Sequence, residues 1–499
     1  MTLHRILRMM NAKKWAVTLA VLTFAGAVSA TIIPNLLAYA DPTGAVSTNN
    51  THGAINENNP FFESLGTNGR SCGTCHAGDS AFGLSTADIN ERFTATNGND
   101  PLFALVDGAN CPSGSQTDAS NHTLLLQNGL IRIPLVVPAT AQFQITAVYD
   151  PYGCAIVTNP DTGQQTVSVY RRPLPTANLG FLSTVMFDGR ETLQPLNNKA
   201  TFQPNLTTDL TQQAIDATLN HAQALNPPTA AQLTSILNFE LGLSSAQMTD
   251  SAAGPLTAAG AQGGARILTK TTSTYYPGIN DSLGGDPDGV AFNPVAFTLF
   301  DSWSNLKSGT NPAVEAARAS IARGQAIFNS QPLIITSVRG LNDNATLGSP
   351  PSITGTCTTC HDTPNVGDHS FPLALDIGTG HDVTSETDPF IAAGLSQLTM
   401  ANVPVYEITG CTNPFPGSDS SEPYIVYTTD PGKALISGQC SDLIRTKGPV
   451  LRGLAARAPY FHNGAAQNLT ELVNFYNLRF QMNLSDQQMT DLIAFLNSL

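Results

Sequence analysis

Positive charge is scarce in this sequence. Lys and Arg number 23 against 37 Asp and Glu, and the four charged types together make up only 12 % of 499 residues, about half the usual share. No basic run longer than Arg171-Arg172 follows the first fourteen residues, which leaves no face for nucleic acid, because phosphate binding needs clustered Lys and Arg. Long apolar runs are also few. The longest uncharged one spans about 15–33, behind Arg5, Arg8, Lys13 and Lys14, and this is the layout of an export signal. Ala38-Tyr39-Ala40 offers a small-x-small cleavage site before Asp41, and Val28-Ser29-Ala30 offers a second. Residues 1–40 are therefore expected to be a signal peptide. The alternative is an uncleaved anchor, since the run approaches bilayer-spanning length, and only then is the membrane a partner. Both place the remainder outside the cytoplasm, periplasmic or secreted. Without 1–40 the balance is 19 basic to 37 acidic residues, compatible with a basic redox partner.

Long uninterrupted helices are not expected either, because Gly (41) and Pro (33) are abundant. The cysteines, eight in all, sort by spacing. Four lie in Cys72-Gly73-Thr74-Cys75-His76 and Cys357-Thr358-Thr359-Cys360-His361. A Cys-x-x-Cys-His segment attaches a c-type haem: two thiols add to the vinyl groups, and the His gives iron an axial nitrogen. Composition alone predicts about 0.002 such motifs in a chain like this. A redox dithiol needs no His, and zinc needs a second nearby ligand pair. Two covalently bound haem c groups are thus expected, held by Cys72, Cys75, Cys357 and Cys360, with His76 and His361 on iron. Cys111, Cys154, Cys411 and Cys440 remain, and an even number in an exported chain suggests disulfides. The simplest of three pairings is local, Cys111–Cys154 and Cys411–Cys440, each stabilising by about 3–4 kcal/mol on a chain-entropy argument.

Along the chain, about 102–170 is rich in β-branched residues (130–133, 135–137, 143–149, 166–170), punctuated by Asp150-Pro151 and Asn159-Pro160. It reads as a small strand-containing insertion braced by Cys111–Cys154. Helices are expected at 207–223, 230–243, from Asn311-Pro312 to about 328, and at 484–499, where Met489, Leu492, Ile493 and Leu496 form one stripe. Residues 254–280 read as loop-rich, and Cys411–Cys440 is expected in a turn-rich loop.

Arg445-Thr446-Lys447-Gly448-Pro449-Val450-Leu451-Arg452, then Ala458-Pro459-Tyr460-Phe461-His462-Asn463-Gly464, then Leu469–Tyr476, resemble the C-terminal half of the bacterial dihaem cytochrome c peroxidase/MauG family. Met186-Phe187-Asp188-Gly189-Arg190 resembles its Phe-Trp-Asp-Gly-Arg element, and Leu210-Thr211-Gln212-Gln213-Ala214 its Leu-Glu-Glu-Gln-Ala element. The resemblance spans about 60–499, outside the insertion. It implies a mainly α fold of two cytochrome c-like haem domains, 41–305 (with the insertion at about 102–170) and 306–499. The His76 haem would be the reactive one, meeting peroxide or oxygen. The His361 haem would relay electrons from a small redox protein or other donor, with Tyr476 at its sixth position; Met400 and Met482 are the alternatives.

The sequence also departs from the family. Phe187 replaces its Trp between the haems. Its catalytic Glu has no acidic counterpart, and His221 is the candidate for that acid/base role, because imidazole titrates near neutrality. His221 as a closing iron ligand is the competing reading. Gln213 would position peroxide or water. Arg190 and Arg452 would hold haem propionates or interdomain carboxylates, and His462 would lie near the second haem. His52, His122, His369 and His381 read as loop residues rather than ligands; His122 belongs to the stretch where the family has a mobile capping loop. The family's calcium uses an Asn ahead of a Pro-Thr pair; here the pair is Pro175-Thr176, with Pro173 in place of that Asn. Three functions stay open: a peroxidase/MauG-type oxidoreductase, a non-catalytic electron-transfer dihaem cytochrome, and a latex-oxygenase-like oxidase of an organic or protein substrate.

Overall fold

The computed structural model describes residues 32–306, 311–380, 403–414 and 424–499. Near its N-terminal end lies a four-stranded antiparallel sheet, ordered Gly254–Pro255, Leu243–Asp250, Gly44–Asn50, Ala38–Asp41. Its centre is the pairing of Gly44 with Asp250 through Asn50 with Leu243, and Val46 and Ala246 are fully buried on its two opposite faces. Neither long strand carries a run of β-branched residues, and their small polar side chains are satisfied internally: the Thr48 and Ser245 hydroxyls lie 2.6 Å apart. Ala38 and Ala40 sit in the edge strand, opposite Ser47 and Ala45, and Ile32–Ile33 pairs with Ile55–Asn56. The first cleavage candidate therefore falls inside a folded sheet, whereas Val28-Ser29-Ala30 and the basic stretch precede the described residues.

Strands occur within 102–170 at Ile131–Val136, Gln144–Tyr149, Ile156–Thr158 and Gln165–Arg171. Ile131–Val136 runs through Pro134, which cannot donate to a ladder; the strand lies at the edge of its three-stranded sheet, where that is tolerated. Gln144–Tyr149 instead joins Val405–Cys411 and Tyr424–Thr428. The turn-rich loop expected around the second cysteine pair thus contains two strands, which complete a sheet with a strand of the insertion far earlier in sequence, Tyr406 pairing with Ala147. Ile133, Phe143, Ile145, Val167, Tyr406, Ile408 and Val426 fill one core between these sheets. Cys111 is bonded to Cys154 and Cys411 to Cys440.

Among the described residues the α-helices are α1 (Thr86–Thr96), α2 (Thr123–Asn128), α3 (Phe202–Asn220), α4 (Ala230–Leu241), α5 (Ala265–Thr271), α6 (Pro312–Ser330), α7 (Ala434–Ser437), α8 (Leu469–Arg479) and α9 (Asp486–Asn497). Local chemistry sets their starts. Thr229 and Ser485 each form a capping box with the Gln three residues on, and Asn311 caps α6 ahead of Pro312. Helix α3 starts before the expected 207 because Pro204 lies in its first turn, where no intrahelical N–H is needed. Helices α6 and α9 cross at Gly324, where a Cβ would lie 1.9 Å from the Asp491 carbonyl oxygen. Around that crossing Ile321, Phe328, Leu492, Phe495 and Leu496 join the large C-terminal core. No helix among the described residues is long and apolar enough to cross a membrane.

Candidate redox site

The two Cys-x-x-Cys-His segments fold alike. Each begins as a short 3-10 turn, Cys72–Thr74 and Cys357–Thr359. In both, the His N–H bonds the first Cys carbonyl oxygen at 3.1 Å. The Thr hydroxyl oxygen accepts the N–H of the residue before the motif, Ser71 at 3.0 Å and Thr356 at 2.9 Å. His76 Nδ1 lies 3.2 Å from the Phe82 carbonyl oxygen and His361 Nδ1 2.6 Å from that of Gly367. A carbonyl only accepts, so Nδ1 carries the proton in both and Nε2 keeps its lone pair, the state an iron ligand requires. A phenylalanine ring stands near each imidazole, Phe61 at 6.5 Å and Phe328 at 6.0 Å.

The four motif thiols are free. Desolvation pushes them up, Cys357 and Cys360 to about 12, the opposite of the low-pKa thiolate of a redox dithiol. Paired free thiols beside a His with an available Nε2 fit a covalently attached haem at both places.

Around the first motif opens a cleft walled by Cys72, Cys75, His76, Leu179, Val185 and Leu210 among others. The structure brings Gln213, His221, Arg190 and Phe187 to the same cleft. Gln213, Ala217 and His221 are spaced four apart on α3 and its C-cap, so they share one face. His221 Nδ1 bonds the carboxylate of Asp107, which also pairs with Arg70. Burial alone would raise the Asp107 carboxyl, but Arg70 and then His221 outweigh it and hold it below the usual range. The ionised carboxylate accepts, so His221 Nδ1 donates and Nε2 is the nitrogen available to the cleft. Arg70 is itself anchored, donating to the carbonyl oxygens of Pro101 (2.7 Å) and Leu102 (2.6 Å).

Sequence reasoning missed Asp107, which lies 114 residues before His221 in a segment with no motif. It also missed Glu240, which lines the cleft. Glu240 Oε2 has no hydrogen-bond partner, and burial pushes the carboxyl up to about 8. Arg190 bonds Asp188 at 3.2 Å. Asp188 in turn meets buried Arg171, which reaches Asp430 of the C-terminal half at 2.6 Å. Phe187 is buried between the cleft and His462, ring centroids 6.1 Å apart. Burial lowers His462 to about 4, partly opposed by Asp430.

In the C-terminal half, Cys357, Cys360 and Tyr476 pack against one core. The Tyr476 ring stands among Phe461, Phe475 and Phe480, and its hydroxyl is raised by burial first and by the two motif thiols second. Met482 is buried in that core; Met400 lies outside the described residues. Arg452 lies away from the first cleft. It donates to the main-chain oxygens of Leu499 (2.9 Å) and Asn365 (2.8 Å), which secures the loop after the second motif.

Among the other histidines, His122 is fully buried, its nitrogens 2.7 Å and 2.9 Å from the carbonyl oxygens of Gly108 and Gln116. His52 is exposed, and His381 lies outside the described residues. His369, read as a loop residue, is buried beside two aspartates. Pro173, Pro175 and Thr176 form part of the first cleft's wall.

No family model matches the chain, and no curated protein matches it. Among solved structures it is similar to the crystal structure of a MauG-like protein associated with microbial copper homeostasis. The identity is 13 %, 70 % of this chain and 79 % of that one are covered, and the TM-score is 0.27. A likeness at that level carries no argument for function.

Proposed function

We propose that this protein is an extracytoplasmic dihaem c-type oxidoreductase that activates peroxide, or oxygen, in the cleft beside His76. The observation that carries the reading is the His221–Asp107–Arg70 chain, which aims a polarised imidazole into the cleft that holds Cys72, Cys75 and His76. When bound, the haem supplies the iron that holds the oxidant and exchanges electrons with it. Reduction of hydrogen peroxide to two waters consumes two electrons and two protons. The electrons come from a redox partner, a small basic redox protein suiting the acidic chain. His221 Nε2 takes a proton from the entering peroxide and returns it to the departing oxygen, while Asp107 holds the imidazolium and its tautomer. Gln213, on the same helix face, orients peroxide or water. Cys357, Cys360 and His361 would hold the second haem, with Tyr476 from the same core as a further candidate ligand, and that group would supply storage and relay of the second electron. A phenolate there favours ferric iron and a low potential.

The bond that orients a base would equally orient an iron ligand, and His221 closing the first haem would give an electron-transfer cytochrome instead. The ferric spectrum separates the two, since a high-spin component requires an open position. His221→Ala is expected to lower peroxide turnover by about 100-fold or more with both haems still attached; unaffected turnover sinks the proposal.

A further inference from the structure

Next to the second motif lies a group of side chains that the redox chemistry does not use. Asp281 sits in a loop that precedes α6. Asp362 follows His361 directly, and His369 closes the loop after it. One ligand atom from each lies within 4.8 Å of the others. The cluster is thoroughly buried: relative exposures are 3 % for Asp281, 0 % for Asp362 and 5 % for His369.

The two carboxylates are held in place but not neutralised. Asp281 accepts the N–H groups of Leu283 (2.9 Å) and Gly285 (2.8 Å). Asp362 accepts those of Ser370 (2.7 Å) and Ser282 (3.4 Å). The backbone is shaped around this arrangement, since a Cβ on Gly285 would stand 2.3 Å from Asp281 Oδ2. Among the described residues no lysine or arginine forms an ion pair with either aspartate; their ion-pair partner is His369, and Asp368 adds a further negative charge near Asp362.

His369 supplies the observation that points to a ligand. Its Nδ1 lies 3.2 Å from Asp362 Oδ2 and 3.3 Å from the Phe371 N–H. Its Nε2 is buried with no hydrogen-bond partner, facing Asp281 Oδ1 at 3.9 Å. That gap is too wide for a hydrogen bond. It matches the spacing of two donors on one cation, because bonds of about 2.0–2.2 Å put neighbouring donors about 3–4 Å apart. Two buried carboxylates beside an imidazole are a poor arrangement for a protein without a positive charge between them.

We infer that Asp281, Asp362 and His369 bind one first-row divalent transition cation, zinc or manganese, which clips the Asp281 loop to the loop that follows the second Cys-x-x-Cys-His motif. The ring nitrogen selects against calcium and magnesium, which take oxygen donors, and one nitrogen with two carboxylates suits the first-row ions. The clip ties segments 81 residues apart to the backbone around His361, and it stands whether or not the first cleft turns over peroxide.

The test uses the full protein with both haems attached. It is stripped with chelator, equilibrated with zinc or manganese chloride, dialysed into metal-free buffer, and measured for metal and iron together. One zinc or manganese per two irons is expected. His369→Ala and Asp281→Asn should each weaken zinc at least 100-fold while keeping two irons per chain. Wild-type protein that retains no cation overturns the inference, because the aspartates then share a proton; variants that retain a full equivalent overturn it too. Should the variants not fold, the wild type decides: zinc should raise its Tm in a chelator-reversible way and magnesium should not. No shift with zinc or manganese overturns the inference.

Discussion

Asp107 shows how much of a candidate site can rest on one side chain. Its carboxylate meets His221 and Arg70 at once, so it is a positioning residue for the base. Asp107→Asn should lower peroxide turnover by about 100- to 10,000-fold with both haems retained, because an amide no longer enforces the Nδ1–H tautomer. Adding His221→Ala should lower it little further, as groups acting as a unit are not additive; steady-state kinetics of the single and double variants check this. Glu240 makes a separate pH prediction. Burial pushes its carboxyl from 4.5 to about 8, so the folded chain holds that proton more tightly than the unfolded one. The associated stability is fully present below about pH 4.5 and is lost as pH rises through about 8. Glu240→Gln cannot ionise, so its Tm relative to wild type should climb between those values and level off on either side; a flat difference in a thermal-melt series would contradict this.

At the scale of the element, the crossing of α6 and α9 decides a substitution that helix propensity would misjudge. Gly→Ala inside a helix normally stabilises by about 1 kcal/mol. At Gly324 the added carbon meets the Asp491 carbonyl oxygen at 1.9 Å, so the helices must part. Gly324→Ala is expected to lower stability by about 2 kcal/mol or more, read from denaturant unfolding. The same contact shows why periodicity alone does not locate a crossing. The stripe of Leu492, Phe495 and Leu496 announces a buried face, and nothing in it says which glycine of another helix will meet it.

Across the whole molecule, the two halves are joined by a shared sheet and a buried charge group. Gln144–Tyr149 pairs with Val405–Cys411, and Arg171 bridges Asp188 and Asp430. The N-terminal sheet also bears on export. Cleavage after Ala40 would remove most of a strand paired with Gly44–Asn50, and Ile32–Ile33 with it. Cleavage after Ala30 spares both. If the proposed export signal is cleaved, the intact mass of the processed chain should place Thr31 first; a first residue of Asp41 would contradict this.

Several features were legible from the chain alone because their chemistry is local. The Cys-x-x-Cys-His spacing depends on five residues. The strands of 131–171 follow from β-branched runs, and the starts of α4, α6 and α9 from caps three residues long. The face joining Gln213 to His221 is a matter of helical period. The local cysteine pairings needed only an even count and proximity. Tertiary structure decided whatever depends on residues far apart. It set Asp107 beside His221 and paired the strands around Cys411 with the insertion. It built the Gly44–Asn50 sheet from small polar residues without a strand signature. It also turned His369 from a loop residue into the buried partner of Asp281 and Asp362. Hydrogen-bond partners and burial belong to the folded chain, and no local pattern encodes which distant carboxylate an imidazole will meet.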